Sequence, residues 1–363
     1  MAKENWDIQF IKPCRPSSNK IPRLSPAYTR QKALQGRIVQ VNLDNCSLQR
    51  METLTEKSTM KDVEAVGLLP LIELLKTGLV SLTAIGVNEM PDCRVGEAHA
   101  AFERFCRKFW PGHKDDLDAT YKQYDPESTK RKLEFRDLSD GERCVYGGAY
   151  ISILQMQSIS HQYPSATPQF KFEIYLHSMV SLLEILSAFE LEIAKWVFWK
   201  LDMKDINQLS EEIKQRRKDF KDNFGRIKSK ISKCREFALD AAMDVCWLTG
   251  ASLSEDLGCD INIDGTRRKV EHWLGTNDHK LYRISQHAYW IFHDYSRMRI
   301  FSPTRDKELQ STYWRDVDRI CNDVLIYRQR AGYKNKTEQL RKIDLALEHV
   351  EGELIKNLDA KPI

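Results

Sequence analysis

The run Arg37-Ile-Val-Gln-Val-Asn-Leu43, halted by Asp44-Asn45, constrains the fold more than any other stretch of the chain. β-Branched and apolar residues fit a pleated, packed strand, and Asp and Asn favour the turn that ends one. An apolar helical pattern follows from Val63 through Val66, Leu69, Ile72, Leu74 and Leu75. It stops at Thr77-Gly78, where glycine suits a helix C-cap. Pro70 inside that pattern predicts a kink or a break into two helices. Leu79-Val-Ser-Leu-Thr-Ala-Ile85 is a second short apolar strand. Strand, helix, strand in this order predicts a parallel α/β sheet.

The flanking sequence does not keep that rhythm. Residues 1–36 read as an extended arm, because the stretch from Lys12 to Pro26 is rich in Pro and Ser. Residues 91–225 read as a large helical insertion, whose clearest element is one long helix from Leu176 to Leu201 with a broad apolar stripe. Residues 226–250 form a further helix, and a polar loop covers 252–269. Val270-Glu-His-Trp-Leu-Gly275 is a buried strand that stops at Thr276-Asn277-Asp278. Residues 291–363 read as a helical C-terminal extension. The expected organisation is an α/β domain split over 37–90 and 226–290, with 91–225 inserted between its halves.

Composition narrows the class. The chain has 363 residues, a net charge of +4 and nine cysteines. The cysteines form no C-x-x-C pair, which argues against thiolate metal sites and a disulfide framework. No apolar run reaches about 18 residues, the length a membrane helix needs. A cytoplasmic chain without a membrane span is the reading. The net charge is too small to imply nucleic-acid binding by itself. Its distribution says more: between Ile213 and Arg235 there are ten Lys/Arg against Asp219 and Asp222. Such a run is a solvated helix face or linker, or a ridge that contacts phosphates through Arg216, Arg217 and Lys218.

Two apolar strands that each end on an aspartate, Asp44 and Asp278, carry the chemistry. The carboxyl ends of parallel strands lie along one edge, where ligands bind. Two carboxylates there repel each other unless a cation lies between them, and hard divalent ions take oxygen ligands of this kind.

At these residues the chain resembles the PIN-like nuclease family. Asp44-Asn-Cys-Ser-Leu48 looks like its first acidic motif. Leu79-Val-Ser-Leu-Thr-Ala-Ile-Gly-Val-Asn-Glu-Met90 is similar to the second, with Glu89 in the acidic position. Ala238-Leu-Asp-Ala-Ala-Met-Asp-Val-Cys-Trp-Leu-Thr-Gly-Ala251 resembles the third, with Asp244 or Asp240 as the acid. Leu274-Gly-Thr-Asn-Asp-His-Lys-Leu-Tyr-Arg-Ile284 resembles the fourth. The four occur in the family's order. Asn45 stands where the family commonly has Thr or Ser, and the insertion between the second and third motifs is long.

The resemblance implies a PIN-like parallel sheet flanked by helices, and divalent-metal-dependent hydrolysis of phosphodiester bonds, in RNA rather than DNA. It implies that Asp44, Glu89, Asp244 and Asp278 coordinate Mg²⁺ or Mn²⁺. Thr276 and Asn277 would support a carboxylate or a metal-bound water, and Asp240 would be a ligand or a partner of Asp244. The helical insertion would serve oligomerisation or a protein partner. Two other readings stand beside this one. The first is a non-catalytic scaffold with a degenerate PIN-like fold. The second rests on Arg267-Arg-Lys-Val-Glu-His272, whose R-x4-H spacing is similar to that of metal-independent HEPN ribonucleases using Arg267 and His272.

Overall fold

In the computed structural model of the chain, residues 6–15, 22–111, 132–184, 187–250, 260–263, 266–293, 298–309, 311–328 and 335–359 are described. In chain order the first elements are β1 (Gln9–Ile11), β2 (Cys14–Arg15), α1 (Pro26–Leu34), β3 (Arg37–Leu43) and α2 (Asn45–Glu52). Then come α3 (Met60–Ala65), α4 (Leu69–Leu75), β4 (Val80–Thr83) and α5 (Asp92–Phe109). A helical stretch follows: α6 (Asp140–Gln162), α7 (Pro168–Leu183), α8 (Ala188–Phe198), α9 (Met203–Gln208), α10 (Glu211–Phe224) and α11 (Ile231–Thr249). The chain ends with β5 (Asp260–Ile263), β6 (Thr266–Thr276), α12 (His279–His287), β7 (Ala288–His293), β8 (Met298–Pro303), α13 (Thr312–Arg328) and α14 (Lys336–Asp359). The protein is mixed α/β and divides into two compact units. The first comprises residues 1–133, 250–286 and 291–299; the second comprises 134–249, 287–290 and 300–363.

The first unit is built on a five-stranded sheet in the order β1-β6-β3-β4, with β5 also on β6. β3 runs parallel to both β4 and β6, while β1 and β5 are antiparallel to β6. The register places Val41 between Leu82 and Trp273, and Leu43 beside Gly275. Strand alternation then sorts the two faces. Val39, Val41 and Leu43 join Val80, Leu82 and Trp273 on one face. They pack in a core with Leu48 and Met51 of α2, Leu71 and Leu75 of α4, and Phe102 and Phe105 of α5. Each such side chain contributes roughly 1.5–3 kcal/mol by leaving water. The other face presents Gln40, Asn42, Ser81, Thr83 and His272, all buried. Parallel strands buried on both faces are usually apolar throughout, and this polar face departs from that. Asn42 explains part of it: its amide donates to the Trp273 carbonyl at 3.2 Å and accepts from Thr83 Oγ1 at 3.0 Å, so it ties three strands together.

Pro70 falls in the first turn of α4 and separates it from α3, a place proline tolerates because no N–H is needed there. The expected extended arm is corrected. Ile8 and Ile11 are buried, β1 extends the sheet beside β6, and α1 is a helix capped by Ser25. Residues 1–5 and 16–21 of that arm, and 252–259 and 264–265 of the polar loop, lie outside the described residues, and the described rest of that loop is strand, in β5 and the start of β6.

The second unit is helical. α6 is its centre, and Gly147 lets α14 approach: a Cβ there would lie 2.7 Å from Ile343 Cδ1. Glu351 of α14, buried, accepts both Nε (2.8 Å) and an NH2 (2.7 Å) from Arg235 of α11. Two expectations change here. The single helix from Leu176 to Leu201 is two, because Glu184 turns left-handed (φ 59°) and Ser187 caps α8 anew. The helix at 226–250 groups with this unit rather than with the sheet, since its buried Cys234, Ala238, Ala242 and Val245 line the face turned to the helical core. Nor is the stretch after 291 wholly helical, because β7 and β8 precede α13.

Glu271 is a buried acid on the apolar face of the sheet. Burial alone would raise its carboxyl, but Lys12, the Tyr28 hydroxyl and Lys32 (2.9 Å) hold it below the usual range. Stability from a depressed acid is present above its unfolded value and lost as pH falls through its folded one. Glu271→Gln is therefore expected to destabilise at neutral pH by about 1.5–3 kcal/mol. The difference from wild type should shrink as pH drops below the ordinary glutamate value of about 4.5. Urea unfolding of both proteins across that range checks it, and a pH-independent difference would contradict it.

Candidate active site

Because β3 and β6 are parallel, their carboxyl ends open on the same edge. The Asp44 N–H continues the ladder by donating to the Gly275 carbonyl at 3.1 Å. β4 and β6 flank β3 on opposite sides, the arrangement that opens a crevice at strand ends. Asp44 leaves β3 and becomes the N-cap of α2, accepting from the Ser47 amide at 3.0 Å. Asp278 plays the same part for α12, where Oδ1 accepts from the amides of Lys280 (2.7 Å) and Leu281 (3.0 Å). Each carboxylate therefore faces the positive end of a helix.

Thr276, fully buried, joins the two. Its hydroxyl hydrogen-bonds Asp44 and accepts from the Asp278 amide at 2.9 Å. Burial pushes the Asp44 carboxyl above its usual range and the charge of Asp278 pushes it further, while Cys46, Thr276 and Ser47 pull it back. The Cys46 thiol donates to both Asp44 oxygens, at 2.9 and 3.2 Å, and accepts from the Asn277 amide at 3.1 Å. Burial, then the neighbouring Asp44, hold this thiol well above the ordinary cysteine value, so it stays protonated. Asn277 is a brace: its amide nitrogen donates to the Trp6 carbonyl at 2.9 Å, and its oxygen accepts from Ser47 Oγ at 3.0 Å. Asn277 thereby ties the start of the described chain and α2 to the strand end that carries Thr276.

Gly86 completes the edge. It lies in the 3-10 turn Ile85–Glu89 after β4, and a Cβ there would come within 2.6 Å of the main chain at Leu43, Asp44 and Asn45. Only glycine allows that approach.

The other expected site residues lie on other elements. Glu89 ends the 3-10 turn, half-buried, beyond the carboxyl end of β4. Asp240 (exposed) and Asp244 (half-buried) lie one turn apart on α11, in the second unit. Among the described residues no group of three or more His, Cys, Asp or Glu side chains could hold a metal ion. The phosphate ridge also changes. Arg216 is buried, pairs with Asp306 (2.6 Å) and Glu212 (3.0 Å), and lies over Trp196. Arg217 is half-buried against Trp199, and only Lys218 of the three is exposed. The basic run is amphipathic, with Ile213, Phe220 and Phe224 turned inward, and its spacing carries Arg216 to the inner side. Arg267 and His272 both sit on β6, five residues apart, and so point to opposite faces. Sequence reading missed Cys46 and Ser47; the signal was a small donor two and three residues after an N-cap aspartate.

No helix among the described residues is long and apolar enough to cross a membrane. No protein-family model matches the chain, and no curated protein or solved structure matches it either.

The amide of Asp44→Asn keeps an acceptor for the Ser47 cap and removes both the buried charge and its repulsion with Asp278. Its melting temperature is expected to equal or exceed that of wild type. Asp44→Ala loses the cap and should cost about 1 kcal/mol. Thermal unfolding of the two variants checks this, and equal losses would show that the charge itself stabilises the fold.

Proposed function

We propose that the chain is a PIN-like nuclease that hydrolyses phosphodiester bonds, RNA in preference to DNA, with one Mg²⁺ or Mn²⁺ held at Asp44 and Asp278. The observation that carries this is the pair itself: two carboxylates at the carboxyl edge of adjacent parallel strands, repelling one another, one of them buried. A cation relieves both costs. The donor set fits Mg²⁺, which often takes only one or two protein carboxylates and keeps several waters or substrate phosphates. When bound, the ion supplies Lewis acidity at the phosphate.

The protein's own groups orient the acids. Thr276 and the Cys46 thiol fix the Asp44 oxygens, and the first turn of α12 fixes Asp278. The preference for RNA, and Glu89 with Asp244 or Asp240 as further ligands, rest on the resemblance. A cytoplasmic location and a partner or second copy on the helical unit are part of the same reading. The absence of a three-carboxylate cluster among the described residues favours one alternative, an interaction scaffold with a degenerate edge.

Cleavage of labelled single-stranded RNA and DNA tests the proposal, with Mn²⁺, with EDTA, and with Asp44→Asn/Asp278→Asn alongside. The expected result is metal-dependent cutting that the double variant loses by at least about 100-fold, the scale of losing electrostatic stabilisation of a reacting phosphate. Glu89→Gln and Asp244→Asn report whether the ligand set is larger. No cutting, together with no rise in melting temperature on adding Mn²⁺, would favour the scaffold, since binding to the folded state must stabilise it.

A further inference from the structure

A cleft of about 400 Å³ is lined by Asn45, Gln49, Met90, Pro91, Cys93 and Arg94. That is within the range of about 300–1,000 Å³ typical of small-ligand pockets. Asn45 is the first residue of α2, adjacent in sequence to Asp44, and Pro91 is the N-cap of α5. We infer that this cleft is a pocket for one unpaired nucleobase of the bound strand, read at its hydrogen-bonding edge by Asn45 and Gln49. The inference rests on the nuclease reading above.

The polar groups select this chemistry. Gln49 Nε2 donates to Asn45 Oδ1 at 2.8 Å. A side-chain amide carries one carbonyl and one NH2, so this bond leaves the Asn45 NH2 as a donor and the Gln49 carbonyl as an acceptor. Turning both amides over exchanges the two roles and leaves the same combination. A donor beside an acceptor is the complement of a base edge, as side-chain amides use it elsewhere. The cleft's one cation is already balanced: Arg94 pairs with Glu52 and lies 3.5 Å from Glu97. A phosphate therefore gains little there, whereas a neutral base loses nothing. Met90, Pro91 and Cys93 supply the less polar wall for the base's face. A base already paired in a duplex has its edge occupied, so the pocket selects single strands.

The test measures binding in EDTA, where no metal-dependent cutting intervenes, by fluorescence anisotropy. The ligands are single-stranded ribonucleotide pentamers of A, C, G or U, the same pentamers with a central abasic unit, and a duplex. The proteins are wild type, Gln49→Ala and Asn45→Ala/Gln49→Ala; Gln49 is exposed, so its variant should melt like wild type. Wild type is expected to bind at least one pentamer at least about fivefold more tightly than its abasic form, and both variants to reduce that ratio to within about twofold. Three results would overturn the inference: abasic strands bound as tightly as intact ones, a base preference unchanged in the variants, or no binding of any strand. Metal-dependent cutting without a base preference would remove the pocket and leave the nuclease. A Gln49-dependent preference without cutting would leave the pocket and remove the nuclease.

Discussion

The parallel ladder between Arg37–Leu43 and Thr266–Thr276 is the interaction on which the sheet and the candidate site both depend. It joins strands separated by more than two hundred residues of chain, so it forms only by closing a very large loop. Once formed, it fixes two things together. It aligns Val39 and Val41 with Glu271 and Trp273, which places the apolar face on the core. It also brings the ends of both strands to one edge, where Asp44 and Asp278 cap their helices within reach of the same threonine hydroxyl. A slip of one residue would exchange the faces. It would bury Gln40 and Asn42 among leucines and separate the acids. The Asn42 amide, which bridges β3, β4 and β6, guards against that slip.

How much of this could be read in the sequence depended on how local the cause was. The strands at 37–43 and 270–275 and the break at Pro70 follow from residues within each segment, and the structure has them. The two aspartates stand out in the sequence because Asp44 directly follows an apolar strand and Asp278 comes two residues after the end of another. Elements whose cause is remote were not legible. β1 is three residues long and exists because β6 offers it a ladder. Helices α7 and α8 share one apolar stripe, and a single left-handed residue, Glu184, parts them. Arg216 looks like its basic neighbours until helical phase turns it toward Asp306 and Trp196. Cys46 would pass as a small apolar residue, and only the position of the Asp44 cap makes it a donor.

The helical unit is held differently. Trp196, Trp199 and Trp314 meet edge to face, and Arg305 lies 4.8 Å over Trp314 while pairing with Glu192 (2.5 and 2.6 Å) and Asp318 (3.3 Å). Lys195 joins Asp318 at 2.6 Å. Buried ion networks add little net stability over apolar packing of the same volume, yet removing one member leaves a charge unpaired. Lys195 on α8 and Asp318 on α13 are thus joined directly, and Arg305 bridges Glu192 of α8 to Asp318.

The main-chain contact at Gly86 has a mechanical meaning. The turn that ends β3 and the turn that follows β4 touch backbone to backbone, with no side chain between them to act as a cushion. A side chain larger than hydrogen at position 86 would have to push the two turns apart. The separation of the turn that carries Asp44 from the turn after β4 is thus set by the thickness of a bare peptide unit.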